Sequence, residues 1–258
     1  MTFGPDQVLL CTHCRNIFIR NTLGSSNTIG ARVWSDGRVF AVMAPTPPVI
    51  TQCGNCGTWF FLEDARKVGY VPMGVFDSHR SIIPTTDDLE YPDYLQAIQS
   101  GLFRVDTAGV FDEGKTRERE LVLRERLLWS LNDKVRGREE GLPQGFASVF
   151  RENLRRIIEL TEPAEDRGAL VLRAEALREL GNTDQCVLEI EKLISEIPED
   201  EAEYLDWFIH KAGKIKQAAK SGKTAVFEIT KDEQEETREN IQGDDNSDDN
   251  GPWTLANI

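Results

Sequence analysis

The sequence predicts an α+β protein: a small N-terminal β module, an all-α region built of helical hairpins, and an acidic C-terminal tail. Three observations predict it. Four cysteines form two matched pairs, Cys11-Thr-His-Cys14 and Cys53-Gly-Asn-Cys56, with 38 mostly strand-like or Gly/Ser-rich residues between them. Five amphipathic stripes then follow in series. The last 28 residues carry 2 basic against 9 acidic side chains.

Composition bounds the rest. The 258-residue chain is 40% hydrophobic and 8% aromatic, enough for one large core or two smaller ones. No apolar run approaches the ~18 residues of a membrane span. Met1 to Leu10 lacks the basic stretch and apolar core of a secretory signal. Five cysteines, an odd number, in a chain read as unexported favour thiolate ligands over a disulfide framework, and a cytoplasmic location is expected. The net charge of −14 is uneven: residues 1–70 carry 6 basic against 4 acidic side chains, and residues 71–230 carry 22 against 31. That balance excludes long-range attraction of the whole chain to nucleic acid or an anionic membrane. Only the first zone suits local phosphate contact.

In residues 1–71, the runs Ile17–Arg20, Ala31–Trp34, Val39–Met43 and Thr58–Phe61 are β-branched or aromatic and separated by turn chemistry. Asp36-Gly37 between two of them signals a hairpin, since both residues tolerate positive φ. Pro45, Pro47 and Pro48 block a ladder and return the chain to the second cysteine pair. Gly57, directly after Cys56, suits the left-handed residue that turns backbone N–H groups toward sulfur; Arg15 holds the equivalent place after Cys14. A C-x₂-C loop points two sulfurs at one ion, and two loops fill a tetrahedral shell. Such a closed site is structural rather than catalytic. A redox reading would need one C-x-x-C on a βαβ background, and the second pair weighs against it. His13 stands between two ligands and is expected to point outward. This stretch resembles the zinc-ribbon class, which implies one structural Zn²⁺ held by Cys11, Cys14, Cys53 and Cys56.

Residues 72–90 read as a linker, whose loop from Met73 to Leu89, with His79, leaves open a third function class, an enzyme of unfamiliar type. Residues 91–222 read as helical. Apolar stripes run through Leu121–Val135, Phe146–Ile158, Ala169–Leu180, Cys186–Ile197 and Leu205–Ile215. Short connections imply antiparallel neighbours, broken at Gly141-Leu142-Pro143, Thr161-Glu162-Pro163 and Gly181-Asn182-Thr183-Asp184. The Glu and Arg residues between Thr116 and Glu140 read as a solvated face with i, i+4 pairing. Arg167 to Asp200 is 34 residues and resembles the tetratricopeptide repeat: Ala174 and Cys186 at the small positions, Gly181 at the turn, Pro198 at the end. Leu170 and Leu177 depart from the aromatic positions of that pattern. The resemblance implies a groove lined by the first helix of each unit, with Arg173, Arg178 and the face from Glu201 to Lys214, including Tyr204 and Trp207, as partner-binding candidates. A zinc ribbon ahead of such an array also resembles uncharacterised bacterial proteins of that layout, a likeness that carries no assigned activity.

Residues 223–230 alternate like a half-buried strand that could add to an edge of the ribbon sheet. Residues 231–258 form an acidic tail expected to be disordered, because residues 231–250 offer almost no apolar surface to offset chain entropy. Its end, Trp253 to Ile258, reads as a frayed terminus or a short docking peptide. Enzyme-like motifs fail. Ser221-Gly222-Lys223-Thr224 lacks the P-loop's first glycine, because Gln217 stands there. The calcium-like spacing of Asn246, Asp248 and Asn250 ends at Asn257 rather than a glutamate. The expectation is therefore a non-enzymatic adaptor that binds an unidentified protein or peptide on its helical domain. The alternative is nucleic-acid association through the ribbon, with Arg15, Arg20, Arg32 and Arg38 on phosphates and Trp34 among the stacking aromatics.

Overall fold

The computed structural model describes residues 1–71, 81–104, 112–138, 142, 145–162, 164, 166–198, 201 and 205–229. Within them lie eleven strands and six α-helices, the strands largely N-terminal, so the chain is mixed α+β. The linker part 72–80 with His79, the tail 231–258 with Trp253 to Ile258, and Tyr204 all lie outside the described residues.

Two β-hairpins carry the cysteines. β2 (Asp6–Leu10) pairs antiparallel with β3 (Ile17–Arg20), and β7 (Ile50–Gln52) with β8 (Trp59–Phe61). β9 (Arg66–Val71) and β10 (Ser81–Ile83) extend the first pair into a four-stranded sheet of order β10-β3-β2-β9. Part of the expected linker is therefore sheet: β10 lies parallel to β3. β1 (Thr2–Phe3) pairs with β4 (Leu23–Ser25) at the periphery. The inserted hairpin joins β5 (Arg32–Trp34) to a β6 of only Val39–Phe40, shorter than the 39–43 run suggested. Among the turn residues only Gly37 takes positive φ (+87°), so a three-residue turn with a left-handed glycine replaces the two-residue turn expected. Asp36 is spared that geometry and buried.

Six helices follow: α1 (Tyr91–Gln99), α2 (Glu113–Asn132), α3 (Phe146–Thr161), α4 (Arg167–Glu179), α5 (Thr183–Ser195) and α6 (Asp206–Lys220). The five stripes correspond to α2 through α6; α1 was not marked by a stripe. It starts on a capping box, Glu90 with Asp93, and Pro92 in its first turn. Asp112 and Asp166 cap α2 and α4 through Lys115 N–H (3.0 Å) and Ala169 N–H (2.8 Å). α4 stops at Gly181, whose φ of +82° lets Asn182 N–H return to Leu177 O at 2.9 Å.

Each helix packs on the next in sequence. Ala174, Leu177, Cys186, Ile190, Ala212 and Ile215 form one core of α4, α5 and α6. A second core joins Ile50, Trp59 and Phe61 of the β module to Tyr94, Leu123 and Leu127. Apolar packing thus runs across the boundary between residues 1–71 and the helices.

Charge reinforces that junction and corrects the reading of α2. The expected solvated face is partly an interface: Arg119, 4% exposed, pairs with Glu63 and Asp64, and buried Glu120 receives Arg156 of α3. Asp36 accepts two bonds from Arg136 and one from Asn132, while Trp129 Nε1 donates to its carbonyl at 3.0 Å. These partners lie 93–100 residues away, which is why local pattern could not place them.

α4 is buried at nine consecutive positions, Val171 to Glu179. The segment after α6 crosses it. β11 (Glu228–Ile229) pairs antiparallel with β5, Ser35 and Phe227 exchange hydrogen bonds, and Arg178 donates to the carbonyls of Lys223 and Ala225. The expected edge strand therefore exists in shortened form, on the inserted hairpin rather than on the four-stranded sheet. Among the described residues, no helix is long and apolar enough to cross a membrane.

Candidate metal centre

The two hairpins end in knuckles of one design. Cys11 N–H reaches Asn16 O and Arg15 N–H reaches Cys11 O; correspondingly Cys53 N–H reaches Thr58 O and Gly57 N–H reaches Cys53 O, at 2.7–3.2 Å. Gly57 has φ +71° as its sequence suggested. Arg15 has φ +62° and is the one non-glycine at positive φ among the described residues. Identical hydrogen bonds thus force a left-handed residue into both loops, whatever its side chain.

The four sulfurs lie within 4.8 Å of one another. Cys11 Sγ stands 3.8 Å from Cys56 Sγ, and Cys14 Sγ 3.6 Å from Cys53 Sγ. Tetrahedral thiolates about 2.3 Å from an ion are about 3.8 Å apart, whereas a disulfide needs about 2.05 Å. The arrangement suits one four-coordinate metal ion. Cys11 and Cys53 are buried at 0% and 1% exposure, backed by Leu9, Phe18, Phe60 and Leu62, while Cys14 and Cys56 are half-buried.

Neighbouring donors prepare the sulfurs for negative charge. His13 N–H points at Cys11 Sγ at 3.4 Å, and Asn55 Nδ2 at Cys14 Sγ at 3.5 Å. Asn55, then the Asn16 N–H, hold the Cys14 thiol below its ordinary value. The Thr58 hydroxyl, 3.4 Å from Cys56 Sγ, and then its N–H draw Cys56 down to about 5, with His13 adding to the effect. Burial pushes Cys53 up to about 12. A bound divalent cation favours the thiolate at every position. His13 is exposed and is not part of the four-cysteine group. Asn55 and Thr58 were not singled out in the sequence; their signal is position, inside the C-G-N-C loop and two residues beyond it.

No protein-family model matches this chain, and no curated protein or solved structure gives a significant match. The site's chemistry rests on its own geometry.

The other candidates scatter. Arg178, expected on a partner-facing groove, is 1% exposed, paired to Glu175 and bonded to two carbonyls of its own chain. Arg173 is buried too, joined to Glu189 and to Ile158 O at 2.7 Å. Both correct the groove expectation: the chain's own segments cover α4. Trp207 is half-buried and stacks on His210 with ring centroids 5.6 Å apart. Trp34 is buried between the guanidiniums of Arg32 and Arg136, at 5.4 and 5.0 Å. Arg32 pairs with Glu228, and Arg38 lies over Phe40 and Trp129 and near Asp133. Three of the five nucleic-acid candidates are thus engaged within the molecule. Arg15 is exposed beside the knuckle, and Arg20 is half-buried at the end of β3.

Proposed function

We propose that this protein is a non-enzymatic adaptor whose four cysteines hold one structural Zn²⁺ and whose helical array, a tetratricopeptide-like hairpin with degenerate neighbours, docks a protein partner. The supporting observation is the serial packing of α2 to α6, each on its predecessor, in a chain whose candidate metal shell has no open position. Stacked hairpins of this kind present extended surfaces to peptides and helices. With α4 covered, the docking face moves to the outside of α5 and α6, where Leu188 is 66% exposed and Trp207 is partly so. The location is cytoplasmic, where thiols stay reduced.

Affinity capture of the tagged full chain from its own cell extract, with and without nuclease, tests the reading. The expected result is a nuclease-resistant partner lost on Leu188→Asp with Trp207→Ala, while the far-UV spectrum is unchanged. Capture indifferent to both substitutions overturns the docking face. Capture abolished by nuclease overturns the protein-partner reading.

A further inference from the structure

Two of the cavities among the described residues differ in their charge. The larger, about 980 Å³ beside α1, α2 and α3, is lined by four arginines and four glutamates. Several are already joined, with Arg124 and Arg156 both on Glu120. Its charges cancel among themselves. The smaller, about 400 Å³, sits where β3 ends. Among its lining residues are one cation, Arg20, and no acid, in a chain whose acidic side chains outnumber basic ones 44 to 30.

The Arg20 side chain has no hydrogen-bond or ion-pair partner among the described residues. Burial has stripped part of its water without replacing it, which lowers its affinity for the proton. The rest of the wall is polar but uncharged: Gln7, Asn21, Thr22, Ser26 and Thr85. Asn21 already donates to Asp6 and Thr22 to Pro5 O. Gln7, Ser26 and Thr85 keep their side-chain donors uncommitted among the described residues. Three prolines, Pro45, Pro47 and Pro84, supply stiff apolar faces. The volume lies within the range of small-molecule sites. A guanidinium presents a planar fork that matches the two oxygens of a carboxylate or phosphate.

We infer that the cleft at the end of β3 binds the oxyanion group, carboxylate or phosphate, of a small ligand, with Arg20 as its fork and Gln7, Ser26 and Thr85 as flanking donors. The site is separate from the cysteine cluster and from the helical face proposed for a partner.

The test is a backbone-amide NMR titration of the full chain at neutral pH. Sodium phosphate and sodium acetate serve as separate probes, with chloride holding ionic strength constant. Saturable shifts are expected at Gln7, Asn21, Ser26 and Thr85, with dissociation constants on the order of 1 mM for these minimal ligands. Tighter phosphate assigns a phosphoryl ligand; tighter acetate assigns a carboxylate. Arg20→Gln should weaken binding roughly tenfold or more, the loss of a charge-assisted pair. Arg20→Lys, charged but without the fork, should fall between, and Arg66→Gln on exposed β9 should match the wild type. Saturation by neither anion, or wild-type affinity in a folded Arg20→Gln protein, overturns the inference. Should Arg20→Gln lose its dispersed spectrum, Arg20→Lys decides: unchanged affinity for both anions overturns it equally.

Discussion

Arg15 and Gly57 occupy the same place in two knuckles, and only glycine does so without strain. A left-handed conformation costs a side-chain-bearing residue roughly 1–2 kcal/mol, partly offset because glycine loses more chain entropy on folding. Arg15→Gly should therefore leave the β module unchanged or up to about 1 kcal/mol more stable, and Gly57→Ala should weaken it by about 1 kcal/mol. Competition against a calibrated chelator checks both. At the α4 junction, Glu175 and Glu179 are both buried. Burial, then the charge of Glu175, raises Glu179 well above the usual carboxylate range. Burial alone would raise Glu175 too, but Arg178 holds it below. The signs oppose. The folded state keeps a proton on Glu179 that the unfolded state releases, so stability falls as pH rises from about 4.5 through the raised value. Glu175 contributes the reverse, stability lost as pH falls below its unfolded value. Glu179→Gln should flatten the alkaline decline and raise the urea midpoint at pH 8, with little change at pH 5. An unchanged alkaline slope would show that Glu179 is ionised in the folded protein.

Elements divided into those written locally and those imposed from afar. The cysteine knuckles, β3 and the turn at Gly181 were legible because spacing, β-branched runs and a lone glycine each carry their own backbone geometry. β9 was not: Arg66 to Val71 is not among the runs marked in the sequence, and its pairing with β2 defines it as a strand. α2 was legible as a helix, but Arg119 and Glu120 looked solvated because their partners Glu63, Asp64 and Arg156 are distant in sequence. Arg178 was misplaced for the same reason. Arg178→Met should cost about 3–5 kcal/mol, since it leaves Glu175 buried and uncompensated. Arg178→Met with Glu175→Gln should recover much of that loss, as a urea-unfolding double-mutant cycle would show. Cys53→Ser should abolish metal binding by the proposed site and loosen the cluster around Phe18, Phe60 and Leu62, while the core of Ala174, Ile190 and Ile215 keeps its helices. Near-UV circular dichroism should fall much further than the signal at 222 nm. Equal loss of both would show that the cores cannot be separated.

At the scale of the whole molecule, composition foresaw an acidic end, and alternation foresaw a strand before it, though not where that strand docks. Truncation after residue 230 should shift the melting temperature little, because residues 231–250 carry almost no apolar surface to lose and Trp253 to Ile258 read as a frayed terminus. Truncation after residue 221 removes Val226, Phe227 and Ile229 and strips Arg178 of its two carbonyl acceptors. It should lower the melting temperature by several degrees or more. Similar melting curves for the two truncations would show that the segment is not structural. The pairing of β11 with β5 also has a meaning in time. Arg32 and Glu228, which meet across it, are 196 residues apart. At roughly 5–20 residues per second of synthesis, β5 waits roughly 10–40 s with one edge bare before its partner is made. During that interval the edge is a template open to any extended strand nearby, including the same strand on the next ribosome of a polysome. Slower translation should therefore lengthen the exposure of that edge and raise the aggregated fraction of the product, as a comparison of slow and fast codon variants would show.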